Sequence, residues 1–214
     1  MMKKHQNKFL FKKRLQVLKY AKVFISDKGF TSKSLNNIVK NYNLDLNEIE
    51  LLFPDGNVDL VKFALEQLNK ELEEQCKKID LIRLPIHKRI REVILLKMLL
   101  MQKDKIFYRN IFSNLLIPKK NFSLPNQIYN SVDQIWFIAG DTSVDFNFYT
   151  KRLILSGIYS RILLFFFNNN NQQELEIILD VNLKRVSKIP EIKSKLKIFK
   201  EYLPKIAKFI KNSY

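Results

Sequence analysis

The residues best equipped for chemistry gather in "GDTSVDFNFYTKR", residues 140–152. Asp141 and Asp145 stand four apart, a spacing that brings two carboxylates together at a helix start, where such a pair can act as general acid and base. Helix initiation accounts for the same residues: Thr142 or Ser143 as N-cap, with the charge of Asp145 favouring the first turn. Capping leaves Asn147, Phe148, Tyr149, Lys151 and Arg152 unaccounted for. An aromatic beside Arg and Asn is the makeup of a protein-binding hot spot. It also suits a lipid headgroup, with Arg152 pairing a phosphate. Phe146, Tyr149 and Leu153 recur at three and four and are expected to face inward, while Phe148 and Arg152 share another face.

Elsewhere the chemistry thins out. The two histidines, His5 in the basic start and His87 just after a proline, offer no metal set and no nucleophile partner. The single cysteine, Cys76, cannot form an internal disulfide. With four glycines in the chain there is no phosphate-cradling loop. The expectation is a protein without catalytic residues, cofactor or metal.

The elements that position these residues are helices almost throughout. Apolar residues recur at helical period over about 9–26, 32–42, 46–53, 57–79, 86–102, 104–116, 126–139, 145–167, 172–187 and 190–211. Gly29 is a stop, Thr31 or Ser32 caps the second helix, "FPDG" at 53–56 is a turn, and Pro85 and Pro125 open helices. "NNNNQQ" at 168–173 is a polar loop. About ten helices with short connections make an all-α domain. Its expected divisions are a basic disordered start (1–8), a three-helix segment (9–55), a helical body (56–188) and a terminal amphipathic helix (189–214).

The net charge of +17 is unevenly placed. Residues 1–28 hold nine Lys/Arg against Asp27, and residues 190–214 hold seven Lys against Glu191 and Glu201. The basicity therefore sits at the two ends, and is not a field spread over the fold. The basic start lacks the apolar run of a signal peptide. Together these features lead to the expectation of a cytoplasmic protein, peripherally associated with the inner face of the membrane.

Two apolar segments carry that expectation. From Leu153 to Phe167 the helix is apolar nearly all round, too short to span a bilayer and interrupted by Arg161. It reads as the central buried helix, and "LLFFF" at 163–167 either fills a core or lines an apolar cavity. In the last segment Ile192, Leu196, Phe199, Leu203, Ile206 and Ile210 recur at three and four. Lys193, Lys197 and Lys200 lie among the intervening positions, and Pro204 should kink the helix. Such a basic amphipathic helix suits an anionic membrane surface.

The opening is different. "GFTSKSLNNIVKNYNLDLNEIELLFPDGNVDLVKFAL", residues 29–65, resembles the helix-turn-helix of TetR-type regulators, in which the second short helix enters the major groove. Here that helix offers Asp45, Glu48 and Glu50, with Asp55 just after it and no cation between Lys40 and Lys62. Phosphates would be repelled. A TetR-like regulator is the alternative function, but sequence-specific nucleic-acid binding is not expected.

"WFIAGDTSVDFNFYTKRLILSGIYS", Trp136 to Ser160, closely resembles the signature of the lipid-binding accessory protein family of ubiquinone (coenzyme Q) biosynthesis, Ala-Gly-Asp-x-Ser-x-Asp-Phe-Asn-Trp-Tyr-Thr-x-Arg. Asp141, Ser143, Asp145, Asn147, Tyr149, Thr150 and Arg152 match, and Phe148 replaces the usual Trp. The resemblance implies a TetR-like fold that no longer regulates DNA and performs no catalysis. It implies an apolar pocket for an isoprenoid quinone intermediate or phospholipid, presented at the membrane to the demethoxyubiquinone hydroxylase. Carried over, Arg152 would meet the lipid headgroup, with Trp136, Leu163, Phe166 and Phe167 nearer the pocket. Asp141, Asp145, Asn147, Phe148 and Tyr149 would form the docking surface. The resemblance also allows a homodimer.

Overall fold

The computed structural model describes the backbone of residues 2–115, 124–142 and 145–187, and the side chains of 8–115, 124–142 and 148–184. Among them are nine helices and no strand: α1 (Met2–Lys28), α2 (Ser34–Asn41), α3 (Leu46–Leu52), α4 (Asn57–Cys76), α5 (Ile86–Gln102), α6 (Lys105–Asn114), α7 (Leu124–Ile138), α8 (Asp145–Asn168) and α9 (Gln172–Ser187). The fold is all-α, as the periodicity predicts. The expected terminal helix, with Ile192, Lys193, Leu196, Lys197, Phe199, Lys200, Leu203, Ile206 and Ile210, lies outside the described residues. At the other end α1 already starts at Met2, where an irregular start was expected.

Local chemistry sets most helix ends. Asp45 caps α3, its carboxylate accepting from Asn47 N at 3.0 Å. Gly29 follows α1 at φ 79°, and its N–H closes on Ile25 O at 3.0 Å. At the start of α2, Lys33 precedes the first helical residue without a side-chain hydrogen bond of its own. Thr31 caps the opening turn: its Oγ1 accepts from Lys33 N at 3.3 Å, and its own N–H donates to Ser34 Oγ at 2.8 Å. A further cap comes from Asn57, at the head of α4. Its Oδ1 accepts from Leu35 N at 2.9 Å, while Nδ2 donates to Thr31 O at 3.1 Å and Ser32 O at 2.6 Å. One amide thereby satisfies the helix start and the preceding turn, and ties α2 to α4.

The acids of the helix-turn-helix-like segment are largely engaged at home. Lys13 of α1 pairs with Glu48 of α3. Lys62 lies between Asp55, at 3.6 Å, and Asp59, at 3.7 Å. Arg14 lies over the rings of Phe53 and Phe63, 5.0 and 4.2 Å from their centroids, fixing the end of α3 against α4.

One apolar core runs through both the first three helices and the body, from Val17 and Ile38 to Tyr159 and Leu179. The helix α8 packs on α7 and α9, and α5 packs on α4 and α9. Its inner stripe is Arg152, Leu155, Tyr159, Ile162, Leu163 and Phe166, all buried. Ser156 and Ser160 donate back to the carbonyls of Arg152 and Ser156 at 2.8 and 2.7 Å, which is how a largely apolar helix carries their hydroxyls. No helix among the described residues is long and apolar enough to cross a membrane.

Candidate functional site

The site grows from the end of α7. Gly140 takes φ 81°, its N–H reaches Phe137 O at 3.0 Å and Asp141 N–H reaches Trp136 O at 3.0 Å. This is a complete Schellman closure, and it turns the chain toward α8 with Asp141 pointing inward. Arg89 of α5 braces the same corner. Its Nη1 donates to Ala139 O at 3.1 Å, and Nε and Nη2 donate to Leu84 O and Ile82 O at 2.7 and 2.8 Å. A Cβ on Gly140 would stand 3.1 Å from that Nη1, so a side chain would be crowded there as well as strained by φ.

On this corner sits a buried charge cluster. Arg152 Nε donates to Asp133 Oδ1 at 2.6 Å, and its Nη1 donates to Asp141 Oδ2 and Phe148 O, both at 3.3 Å. Lys151 Nζ lies 2.7 Å from Asp141 Oδ1 and 5.2 Å from the centroid of the Trp136 ring. The Arg152 side chain is 5% exposed and that of Asp141 2%. Placing the buried Arg152 and the partly exposed Lys151 beside one enclosed carboxylate is tolerable because the pairs are hydrogen-bonded and Asp133, half in solvent, takes part of the charge.

This cluster corrects three expectations. Arg152 is turned into the protein, satisfied by two carboxylates and stacked 3.3 Å from the Phe148 ring centroid, and it does not reach out toward a headgroup. Asp141 is a buried partner of Arg152 and Lys151 and not part of a docking surface. The faces of α8 are also exchanged. Tyr149 and Leu153, expected inside, are 67% and 74% exposed, because placing Arg152 inward sets the rotation of the whole helix. Phe148 is half-buried and meets Tyr149 edge-on, ring centroids 5.2 Å apart. The side chains of Ser143, Asp145 and Asn147 lie outside the described residues.

The outer surface of the corner is apolar. Phe137, near the end of α7, is 74% exposed, and Leu164 further along α8 is 66% exposed. Leu164 belongs to the "LLFFF" run, whereas nothing in the sequence marks Phe137, since an apolar residue in an apolar run carries no sign of the face it takes.

Beneath α8, between α6, α7 and α8, is a cavity of about 280 Å³. Phe112, Leu124, Ile128, Leu163, Leu164 and Phe167 form its apolar wall, with Arg109, Ser113, Ser160 and Asn168 as the polar groups. The structure therefore brings together Leu163 and Phe167 of the expected pocket residues. Phe166 faces the core at 3% exposure, and its ring meets Phe167 at 5.3 Å. Trp136 lies away from the cavity, buried under Lys151, and its indole N–H has no partner among the described residues.

A second polar group that sequence spacing hides is Lys97 of α5. It is 1% exposed, donates to Asn69 Oδ1 at 3.0 Å and lies 5.8 Å from the Tyr159 ring centroid. Burial away from any carboxylate pushes its pKa down to about 7. Asn69 O in turn accepts from Gln134 of α7 at 3.1 Å, so the amides and the amine link α4, α5 and α7.

This corner and cavity lie in the segment that known proteins share. Residues 123–189, spanning α7 to the end of α9, match the COQ9 family model. Over 151 residues the chain is 26% identical to the ubiquinone biosynthesis protein COQ9, mitochondrial, of Rattus norvegicus, covering 68% of this chain and 48% of the rat protein. The Homo sapiens protein of the same name is 24% identical over 151 residues, with the same shares. The COQ9-A protein of Xenopus laevis is 28% identical over 153 residues, covering 68% of this chain and 48% of that protein. The chain thus spans about half the length of the curated relatives it matches. Within the matched segment fall both Asp133 and the "GDTSVDFNFYTKR" corner, along with the α7 and α8 walls of the cavity.

Proposed function

We propose that this chain is a non-catalytic lipid-binding protein of ubiquinone biosynthesis. It takes an isoprenoid quinone intermediate or a phospholipid from an anionic membrane surface and presents it to the demethoxyubiquinone hydroxylase. The observation that supports this proposal is a segment matching the COQ9 family that carries an exposed aromatic and aliphatic corner and, with α6, walls an apolar cavity. An apolar cavity with a few polar groups at its rim is the usual form of a small-molecule site. At about 280 Å³ it holds part of a long chain, so the rest of the tail must lie along the surface or in the membrane.

In this proposal Leu163 and Phe167 belong to the tail cavity, and Phe148 and Tyr149 to the docking surface, now extended by Leu153 and Phe137. Arg152 and Asp141 hold that surface in shape from beneath. Residues 189–214, with their alternating Lys and apolar positions, supply the membrane contact, on the inner face of the membrane. The relatives' names place those proteins in mitochondria.

The test is mass spectrometry of an organic extract from gently purified protein, beside an Ile128→Trp variant that fills the cavity. The expected result is stoichiometric isoprenoid quinone or phospholipid in the parent, depleted in the variant. A folded, monodisperse and lipid-free parent would count against the proposal. For docking, Leu153→Asp should abolish capture of the hydroxylase while leaving stability within about 0.5 kcal/mol, as expected for an exposed position.

A further inference from the structure

A second and more polar pocket, of about 510 Å³, adjoins the apolar cavity. Three residues stand in the walls of both: Arg109 of α6 and Phe167 and Asn168 at the end of α8. The side of the pocket facing away from the cavity is formed by the α5–α6 turn, with Lys103, Asp104 and Lys105. A surface that is apolar on one side of Phe167 and basic on the other is matched to an amphiphile.

The charges at this junction are not balanced. Asp104, the one carboxylate in the wall, is taken by Lys22 at 2.6 Å, and Lys103 faces Glu71 at 3.5 Å. That leaves Lys105 and Arg109, neither within ion-pair distance of a carboxylate among the described residues. Lys105 is held in place by Asn169 O at 2.6 Å, Asn170 Oδ1 at 2.7 Å and the Phe166 ring, 4.9 Å from Nζ to the centroid. An ammonium has three N–H donors, and these hydrogen bonds use two of them. Partial burial, followed by the nearby Arg109 charge, holds the Lys105 pKa below its ordinary value. Two neighbouring cations with spare donors gain from an anion that bridges them, and a guanidinium offers a phosphate a bidentate grip.

We propose that the two pockets form one site for an amphiphile with a phosphate-type anionic head, the head held by Arg109 and Lys105 and the tail passing Phe167 into the cavity. The proposal rests on the lipid-binding function above and adds the residues that hold the head and the orientation of the ligand. It also gives the "NNNNQQ" loop a role: Asn169 and Asn170 hold the Lys105 ammonium at the head position.

The test is isothermal titration of the full chain with decyl phosphate, decanol and inorganic phosphate, for the parent and for Arg109→Gln and Arg109→Lys. The parent is expected to bind decyl phosphate at least about tenfold more tightly than decanol or inorganic phosphate. Arg109→Gln should weaken decyl phosphate by about tenfold and leave decanol unchanged, and Arg109→Lys should recover part of the loss. Arg109 is exposed, so unchanged thermal midpoints are expected for both variants. Equal affinity for decyl phosphate and decanol, unaffected by Arg109→Gln, would overturn the head assignment while sparing the lipid function. Inorganic phosphate binding as tightly as decyl phosphate would overturn it in favour of a free-anion site. Absence of binding by both decyl compounds would overturn the lipid function itself.

Discussion

Replacing Arg152 with methionine separates a structural role from a ligand-binding one. Its guanidinium is 5% exposed at the side chain and joins Asp133, Asp141 and the Phe148 carbonyl. Removing one partner of a buried ion pair costs roughly 3–5 kcal/mol, mostly from the charge left behind. Here Lys151 remains 2.7 Å from Asp141, and Asp133 is half in solvent, so the loss belongs at the lower end, about 3 kcal/mol. For a chain of this size that corresponds to a fall of about 6–12 °C in Tm. Urea unfolding followed by circular dichroism measures it directly. Adding Asp141→Asn to Arg152→Met should recover part of the loss, with a coupling of about 1 kcal/mol or more between the two positions. If Arg152→Met instead unfolds within about 0.5 kcal/mol of the parent but copurifies without lipid, the arginine acts on ligand and the structural account of the corner is wrong.

Lys97 should leave a mark on the pH dependence of stability. Its pKa is about 7 in the fold against 10.5 as the ordinary value, so between these the unfolded chain binds more protons and stability rises with pH. The slope from this residue reaches at most about 1.4 kcal/mol per pH unit, and Lys97→Met should abolish it. Parallel urea midpoints for parent and variant from about pH 7 to about pH 10 would refute the assignment. Gly140→Ala forces a Cβ into a left-handed residue 3.1 Å from Arg89 Nη1, and should lower stability by about 1–2 kcal/mol in thermal unfolding. Asn57→Ala removes the cap that α4 lends to α2, and is expected to cost about 1 kcal/mol by the same measurement. Cys76 is buried and its thiol is pushed up to about 11, by desolvation first and Glu73 second. A thiol reagent at neutral pH should therefore modify it only as fast as the protein opens, and immediate labelling of the folded chain would contradict its burial.

Much of this protein is set locally and is therefore readable in the chain. Helix positions follow from apolar period and from stops such as Gly29 and the "FPDG" turn, because capping and backbone freedom act within a few residues. The "GDTSVDFNFYTKR" signature stood out for the same reason, as polar chemistry beyond what starting a helix requires. What each residue does was decided in three dimensions. Which face of α8 turns inward depends on Asp133, nineteen positions before Arg152, closing on its guanidinium, and periodicity in a helix apolar all round carries no such direction. A further cap on α2 comes from Asn57 at the head of α4, and the brace on Gly140 comes from α5. The cavity depends on α6 and α8 leaving space between them, and its basic neighbour on Lys105 and Arg109 arriving beside Phe167. Local propensity acts over a turn of helix; burial, charge pairing and empty space belong to segments far apart in the chain, and only packing brings them together.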